Sequence, residues 1–167
     1  AGSMAMAMGG PGGLPVEPYL LGLLLGDGSF GQNIQFCKPE ADLHEAVRRE
    51  LPPEDEAVDT GRGGLRIRRR RKNNERSETA KALDVCELGG LNSLEKFIPS
   101  NYLFAPVPDR LALLRGLLDT DGHVMKEGTT DEFASSSPRL AEGTVFLARS
   151  LGAVVRVNVR VPQFTNS

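Results

Sequence analysis

The apolar positions of the chain change period several times, and each change marks an element. From Pro18 the run Tyr19-Leu20-Leu21-Gly22-Leu23-Leu24-Leu25 is apolar on every side and closes on Gly26-Asp27-Gly28. Leucine is a strong helix former. Pro18 marks the start of the run, and Gly28 suits a left-handed stop. A buried helix ending near Asp27 is therefore expected. The same signs recur where Pro108 precedes a second such run that closes on Asp121-Gly122. Asp42–Leu51 sets Leu43, Ala46, Val47 and Leu51 on one helical face and ends at Pro52-Pro53. Ser77–Leu88, capped by Ser77, and Arg139–Leu151, opened by Pro138 and stopped by Gly152, complete the predicted helices. Period two marks the strands. Gln32–Phe36 is strand-like, and Leu65-Arg66-Ile67-Arg68 alternates. Val155–Val161 alternates more cleanly, with valines on one face and Arg156, Asn158 and Arg160 on the other. Mixed helices and antiparallel strands place the chain in the α+β class.

Two of these segments are copies. Leu20-Leu21-Gly22-Leu23-Leu24-Leu25-Gly26-Asp27-Gly28 and Leu114-Arg115-Gly116-Leu117-Leu118-Asp119-Thr120-Asp121-Gly122 agree at six of nine positions, at an offset of 94 (121 − 27). Each is followed by a polar, strand-like stretch and then a Pro that opens a helix, Pro39 in one copy and Pro138 in the other. The chain thus reads as one unit used twice, the first over about 14–105 and the second over about 106–167.

Composition narrows the class. A chain of 167 residues can bury a core as one domain. The longest apolar run is far below the roughly twenty residues of a membrane span, so no membrane association is expected. Ala1–Gly13, rich in Ala, Met and Gly, reads as an expression scar and flexible lead rather than a signal peptide. Cys37 and Cys86 form neither a zinc pattern nor a disulfide framework, which suggests free thiols in a reducing, cytoplasmic setting. The formal net charge is only −2, yet its distribution is uneven: Glu40–Asp59 is mostly acidic and Arg62–Arg76 mostly basic. A solvated face explains such a run, and so does a surface for an anionic partner. Arg and Asn on alternating strand faces could read base edges in the DNA major groove, or be ordinary solvent faces.

Gly26-Asp27-Gly28-Ser29-Phe30-Gly31 also spells G-x-G-x-x-G. A dinucleotide loop needs a strand before it and a helix after it, and here the order is inverted. No kinase signature follows, and the second copy keeps only Asp-Gly. What repeats is the helix and its terminal acid. Gly22 and Gly26 are four apart on one face, and Gly116 and Thr120 repeat that spacing. Two such helices can pack backbone to backbone, which would bring Asp27 and Asp121 together. Carboxylates at two helix C-termini repel each other and the dipole ends. Divalent cations shared with phosphate oxygens would make the arrangement favourable, as in metal-assisted phosphodiester hydrolysis.

The two nonamers resemble the paired motifs of LAGLIDADG homing endonucleases, most closely the endonuclease domains found inside inteins. Lys96-Phe97-Ile98-Pro99 resembles the K-x-I-P block of those domains, the run from Arg110 to Leu114 resembles the lead into the second motif, and Ser150-Leu151-Gly152 resembles a helix end of the family. The resemblance covers Pro18 to Val161. It implies two αββαββα repeats about a pseudo-twofold axis, with saddle-shaped antiparallel sheets over DNA. It implies a monomer that cuts both strands of a long asymmetric site with Mg²⁺ or Mn²⁺, leaving short 3′ overhangs. Asp27 and Asp121 would be the catalytic, metal-holding acids. Lys96 would be the active-site lysine, stabilising charge on the scissile phosphate or its water. DNA contacts would come from Gln32, Gln35, Lys38, Arg66, Arg68, Arg70, Arg156, Asn158 and Arg160.

The chain departs from that pattern in places. It shows neither an intein nucleophile near its start nor a closing His-Asn, so splicing is not expected. After Asp121 there are 46 residues (167 − 121), against 69 from Asp27 to Lys96 (96 − 27), so the second repeat is expected to be incomplete. The rival reading is a weak or inactive relative on the same fold, acting as a DNA-binding regulator or RNA maturase. A third is nucleotide binding through Gly26–Gly31.

Overall fold

The computed structural model describes residues 13–124 and 131–160. The lead at 1–12 and the end of the expected last strand at Val161 lie outside the described residues.

Helix α1 (Pro18–Asp27) forms the centre. Glu17 caps its start, its carboxylate accepting from Leu20 N at 2.9 Å, and Pro18 occupies the first turn, where a missing N–H costs nothing. Leu20, Leu21, Leu23, Leu24 and Leu25 are each at most 1% exposed. A helix that is apolar all round is stable only when surrounded, and α1 is covered on one side by its copy and on the other by a sheet.

That sheet holds β1 (Gly28–Phe30), β2 (Ile34–Phe36), β3 (Asp55–Asp59) and β4 (Leu65–Arg69), antiparallel in the order β1-β2-β4-β3. Its register sets Ser29 opposite Gln35, and Gln35 opposite Arg66. Period two buries Phe30, Ile34, Phe36, Leu65 and Ile67 against the core and leaves Ser29, Gln35, Arg66 and Arg68 exposed. Helices α2 (Ala41–Glu50) and α3 (Glu78–Val85) complete the first half, and the short α4 (Ser100–Leu103) leads to the second. There α5 (Val107–Asp121) enters a two-stranded ladder of β5 (Gly122–Val124) and β6 (Asp131–Phe133), then α6 (Pro138–Ser150). The architecture is α+β.

The two copies meet along α1 and α5. A Cβ on Gly22 would lie 2.4 Å from Leu113 O and 2.9 Å from Gly116 Cα. A Cβ on Gly116 would lie 2.4 Å from Tyr19 O and 2.9 Å from Gly22 Cα. Tyr19 and Leu113 are themselves 94 apart (113 − 19), so each copy makes to its partner the contact its partner makes to it. Such reciprocity marks a local two-fold. One helical turn on, a Cβ on Gly26 would fall on the Thr120 side chain. Only glycine lets the two backbones touch here.

Two expectations need correction, and one strand was not expected. Gly28 and Gly122 are not left-handed stops: their φ angles are −101° and −83°, and both are extended. Each begins a strand while its N–H still bonds the helix, and a Cβ would press on Leu24 O or Leu118 O. The expected strand over Val155–Val161 forms no ladder within residues 153–160. Alternation supplies a face, but a strand also needs a hydrogen-bonded neighbour; Val157 and Val159 stand 61% and 88% exposed. Strand β3 was not expected, because its inward positions are Asp55 and Ala57 rather than large apolar residues. Asp55 is fully buried and accepts from Glu78 N, Thr79 N and Thr79 Oγ1 at 2.9, 2.8 and 2.6 Å, holding the start of α3 on the sheet. The inverted order expected at Gly26–Gly31 is found: the segment spans a helix end, a strand and a turn rather than a strand-to-helix loop, which removes the third reading, nucleotide binding through a glycine loop.

Candidate active site

The last residues of the two central helices are Asp27 and Asp121. The small residues that bring α1 and α5 together also fix where these ends emerge. Asp27 is half-buried, and burial holds its carboxyl above the usual range; Lys38 and Lys96 oppose that shift and Glu40 adds to it. Its backbone oxygen accepts from Cys37 N at 3.0 Å, which ties the end of β2 beside it. Asp121 faces an open cleft of about 190 Å³, with Gly26, Lys96 and three serines, Ser93, Ser135 and Ser136, in its wall.

Lys96 joins the two acids. Burial pushes its ammonium below the usual lysine range, while Asp27 and then Asp121 pull it back up, so both carboxylates lie within its electrostatic reach. The residue is 4% exposed rather than a surface cation. Its Nζ donates to Leu24 O and Leu25 O at 3.2 Å each and to Gly28 O at 2.6 Å, and it stands 4.7 Å from the centroid of the Phe30 ring. It therefore caps the C-terminal end of α1, at Leu24 O and Leu25 O, and the first carbonyl of β1, Gly28 O.

The expected DNA-contacting residues separate into groups. Gln35, Arg66 and Arg68 share the outer face of the four-stranded sheet, where Arg68 pairs with Glu56 at 2.8 Å. Gln32 lies in the exposed turn between β1 and β2. Lys38 is not on that face: it follows β2, half-buried, with its charge bearing on Asp27. Arg70 lies just past β4 and donates to Pro53 O at 3.0 Å. Arg156, Asn158 and Arg160 are exposed but belong to the segment without a ladder, so they are not brought onto a sheet. The basic run is also less free than its letters suggest, since Arg69 pairs with Glu78 at 2.6 Å and Arg76 with Asp84.

Two supporting residues escaped sequence reasoning. His44, buried on α2, donates from Nε2 to Lys38 O at 2.7 Å and so holds the segment that faces Asp27; a carbonyl only accepts, which fixes the proton on Nε2. No local pattern announces that contact. Ser137 caps α6 and donates to Lys96 O at 2.5 Å. The Ser137-Pro138 pair is a helix-start signal that could have drawn attention to it.

Among the described residues there is no cluster of three or more His, Cys, Asp or Glu able to enclose a metal ion. The chain offers two carboxylates, Asp27 and Asp121, that both bear on Lys96. That suits Mg²⁺, which typically takes one or two carboxylates and completes its shell with water and substrate phosphate. Lys38 and Lys96 offset the burial of the Asp27 charge only in part, and a carboxylate so placed favours a cation beside it.

Comparison with known proteins identifies a family likeness in the second half. Residues 108–166, from the start of α5 onward, match the LAGLIDADG-like domain. The chain is also similar to the replicative DNA helicase DnaB of Nostoc sp., at 31% identity over 166 residues, covering 88% of this chain and 18% of that protein. The chain thus spans less than a fifth of the curated relative it matches. No helix among the described residues is long and apolar enough to cross a membrane.

Proposed function

We propose that the chain is the DNA-cleaving domain of a homing endonuclease, of the two-motif type carried by inteins. The observation that carries the reading is the reciprocal packing of α1 on α5, which sets Asp27 and Asp121 at adjoining helix ends within reach of one buried ammonium. The match of residues 108–166 to a LAGLIDADG-like domain supports it. A domain inserted in a longer host protein is in keeping with a similarity that covers most of this chain and little of its relative.

Asp27 and Asp121 would hold the divalent cation together with phosphate oxygens and water. When bound, the cation activates water and stabilises the leaving oxygen. The protein's own part is placement. The glycine contacts fix the spacing of the two acids, and the buried position of Asp27 withdraws its charge from bulk water. Gln35, Arg66 and Arg68, exposed together on the outer sheet face, would meet base edges and phosphates of a duplex.

Cleavage of a plasmid library of candidate insertion sites, with and without Mg²⁺, tests the reading. Metal-dependent double-strand breaks at one site are expected. Tight site-specific binding with no cutting under any divalent cation would instead favour the regulator or maturase reading.

A further inference from the structure

Lys96, in the first half of the chain, is also held by the second. Its backbone oxygen accepts from Ser137 Oγ at 2.5 Å, and that hydroxyl oxygen also accepts from Leu140 N at 3.2 Å, at the start of α6. Its side chain reaches the end of α1 and the start of β1 and donates to Leu24 O, Leu25 O and Gly28 O. These carbonyls lie on either side of Asp27 in the chain. An ammonium has three N–H donors, and here all three have carbonyl partners. Leu24 O also accepts from Gly28 N, so the bonds that matter are those to Leu25 O and Gly28 O; turning the ammonium to a phosphate would give these up, and losing a partner at an enclosed carbonyl is costly.

We infer that Lys96 is a positioning residue: it locks the Asp27 end of α1 to the start of α6, and it is not a donor to the scissile phosphate. This rests on the endonuclease reading and deepens it. Packing alone does not account for the residue, because a methionine would fill the same space without burying a charge. The ammonium makes a brace that is specific in direction. Ser137 fixes one end, the α1 carbonyls fix the other, and the Phe30 ring covers its flank.

The test is single-turnover DNA cleavage over a range of Mg²⁺ concentrations for the wild type, Lys96→Gln and Ser137→Ala, below the lowest melting temperature. The brace predicts that Lys96→Gln raises the Mg²⁺ needed for half-maximal rate by about tenfold or more. At saturating Mg²⁺ its rate should return to within a few-fold of wild type, because the cation then does the aligning. Ser137→Ala, which touches neither DNA nor metal, should shift the Mg²⁺ dependence in the same direction by less. Three results would overturn the inference. A rate lowered about a hundredfold at saturating Mg²⁺ with an unmoved half-saturation would make Lys96 a donor to the phosphate. A lowered half-saturation would mean that it only repels the cation. A lower melting temperature with unchanged kinetics would leave it a purely structural residue. If Lys96→Gln does not fold, Ser137→Ala decides alone, and an unshifted Mg²⁺ dependence counts against the brace. If the wild type cuts nothing, the endonuclease reading fails separately. The brace is then read from hydrogen exchange of the Cys37 amide, which bonds Asp27 O: faster exchange in Ser137→Ala supports it, and unchanged exchange overturns it.

Discussion

The first half of the chain carries α1 into a hairpin whose second strand pairs with β4, and β4 with β3, so four strands lie under one outer face. The second half carries α5 into β5 and β6 and then, through α6, into residues 153–160, which join no ladder among the described residues. Yet where the halves touch they are mirror partners. Gly22 meets Gly116, and each glycine faces the same carbonyl position of its opposite copy. The difference separates two kinds of constraint. At Gly22 and Gly116 the helix interface is set by backbone closeness, which tolerates nothing larger than hydrogen and so keeps both copies alike there. The outer faces are set by what they meet, and there the halves differ. The two acids stand at the boundary: they share a position at a helix end and the neighbouring Lys96, but not the rest of their surroundings. Asp27 sits near Lys38 and Glu40, while Asp121 opens on a cleft walled by serines.

The largest expected effect tests whether the acids act as a pair despite those surroundings. Asp27→Asn and Asp121→Asn should each lower DNA cleavage on the order of a thousandfold while sparing DNA affinity. Gel-shift and cleavage assays on the same samples would show it. A large loss in only one variant would mean that the halves differ in chemistry as well as in sheet.

Next comes the interface itself. Gly22→Ala and Gly116→Ala each drive a methyl into backbone and should cost about 3 kcal/mol, or roughly 6–12 °C in melting temperature. The two losses should be equal, because the contacts are reciprocal. Gly26→Ala meets a side chain instead, so Thr120→Gly should rescue it in part, whereas no second substitution can make room at Gly22.

A smaller effect concerns charge. Burial raises the folded-state pKa of Asp27, so folding favours its protonated form. That stabilising contribution is complete below the ordinary carboxylate pKa and is lost as pH rises through the raised one. Without metal, Asp27→Asn should therefore melt at or above the wild-type temperature at neutral pH, and the difference should vanish in acid. Added Mg²⁺ should raise the wild-type melting temperature and leave the variant unmoved.

The smallest effects separate the two outer faces. Arg66→Ala should weaken DNA binding several-fold and reduce the salt slope by about one. Arg156→Ala, in the segment without a ladder, should do less. Glu56→Gln should tighten binding slightly by releasing Arg68 from its exposed ion pair.

What could be read from the sequence follows the same division. Helices α1, α2, α3, α5 and α6 were legible to within a few residues, because leucine runs, Ser77, Pro18, Pro138 and Gly152 act locally. The small-residue spacing of Gly22, Gly26, Gly116 and Thr120 was legible because the copy supplied a second example. Strand β3 was not: its buried positions are occupied by Asp55, whose partners on α3 lie 23 and 24 residues away, and by the small Ala57. The burial of Lys96 was not legible either. Its acceptors lie 68 to 72 residues back along the chain, and a lysine in a linker carries no local mark of being enclosed. The Val155–Val161 alternation misled for the converse reason, since it is a local pattern whose outcome depends on a distant neighbour.

The central claim is that Asp27 and Asp121 hold one cation-binding site between the two halves. Mn²⁺ binding, followed by electron paramagnetic resonance on the wild type, Asp27→Asn and Asp121→Asn, tests it without knowledge of the DNA target. The account predicts that each substitution weakens Mn²⁺ binding by at least about tenfold. Wild-type affinity in either variant would contradict it.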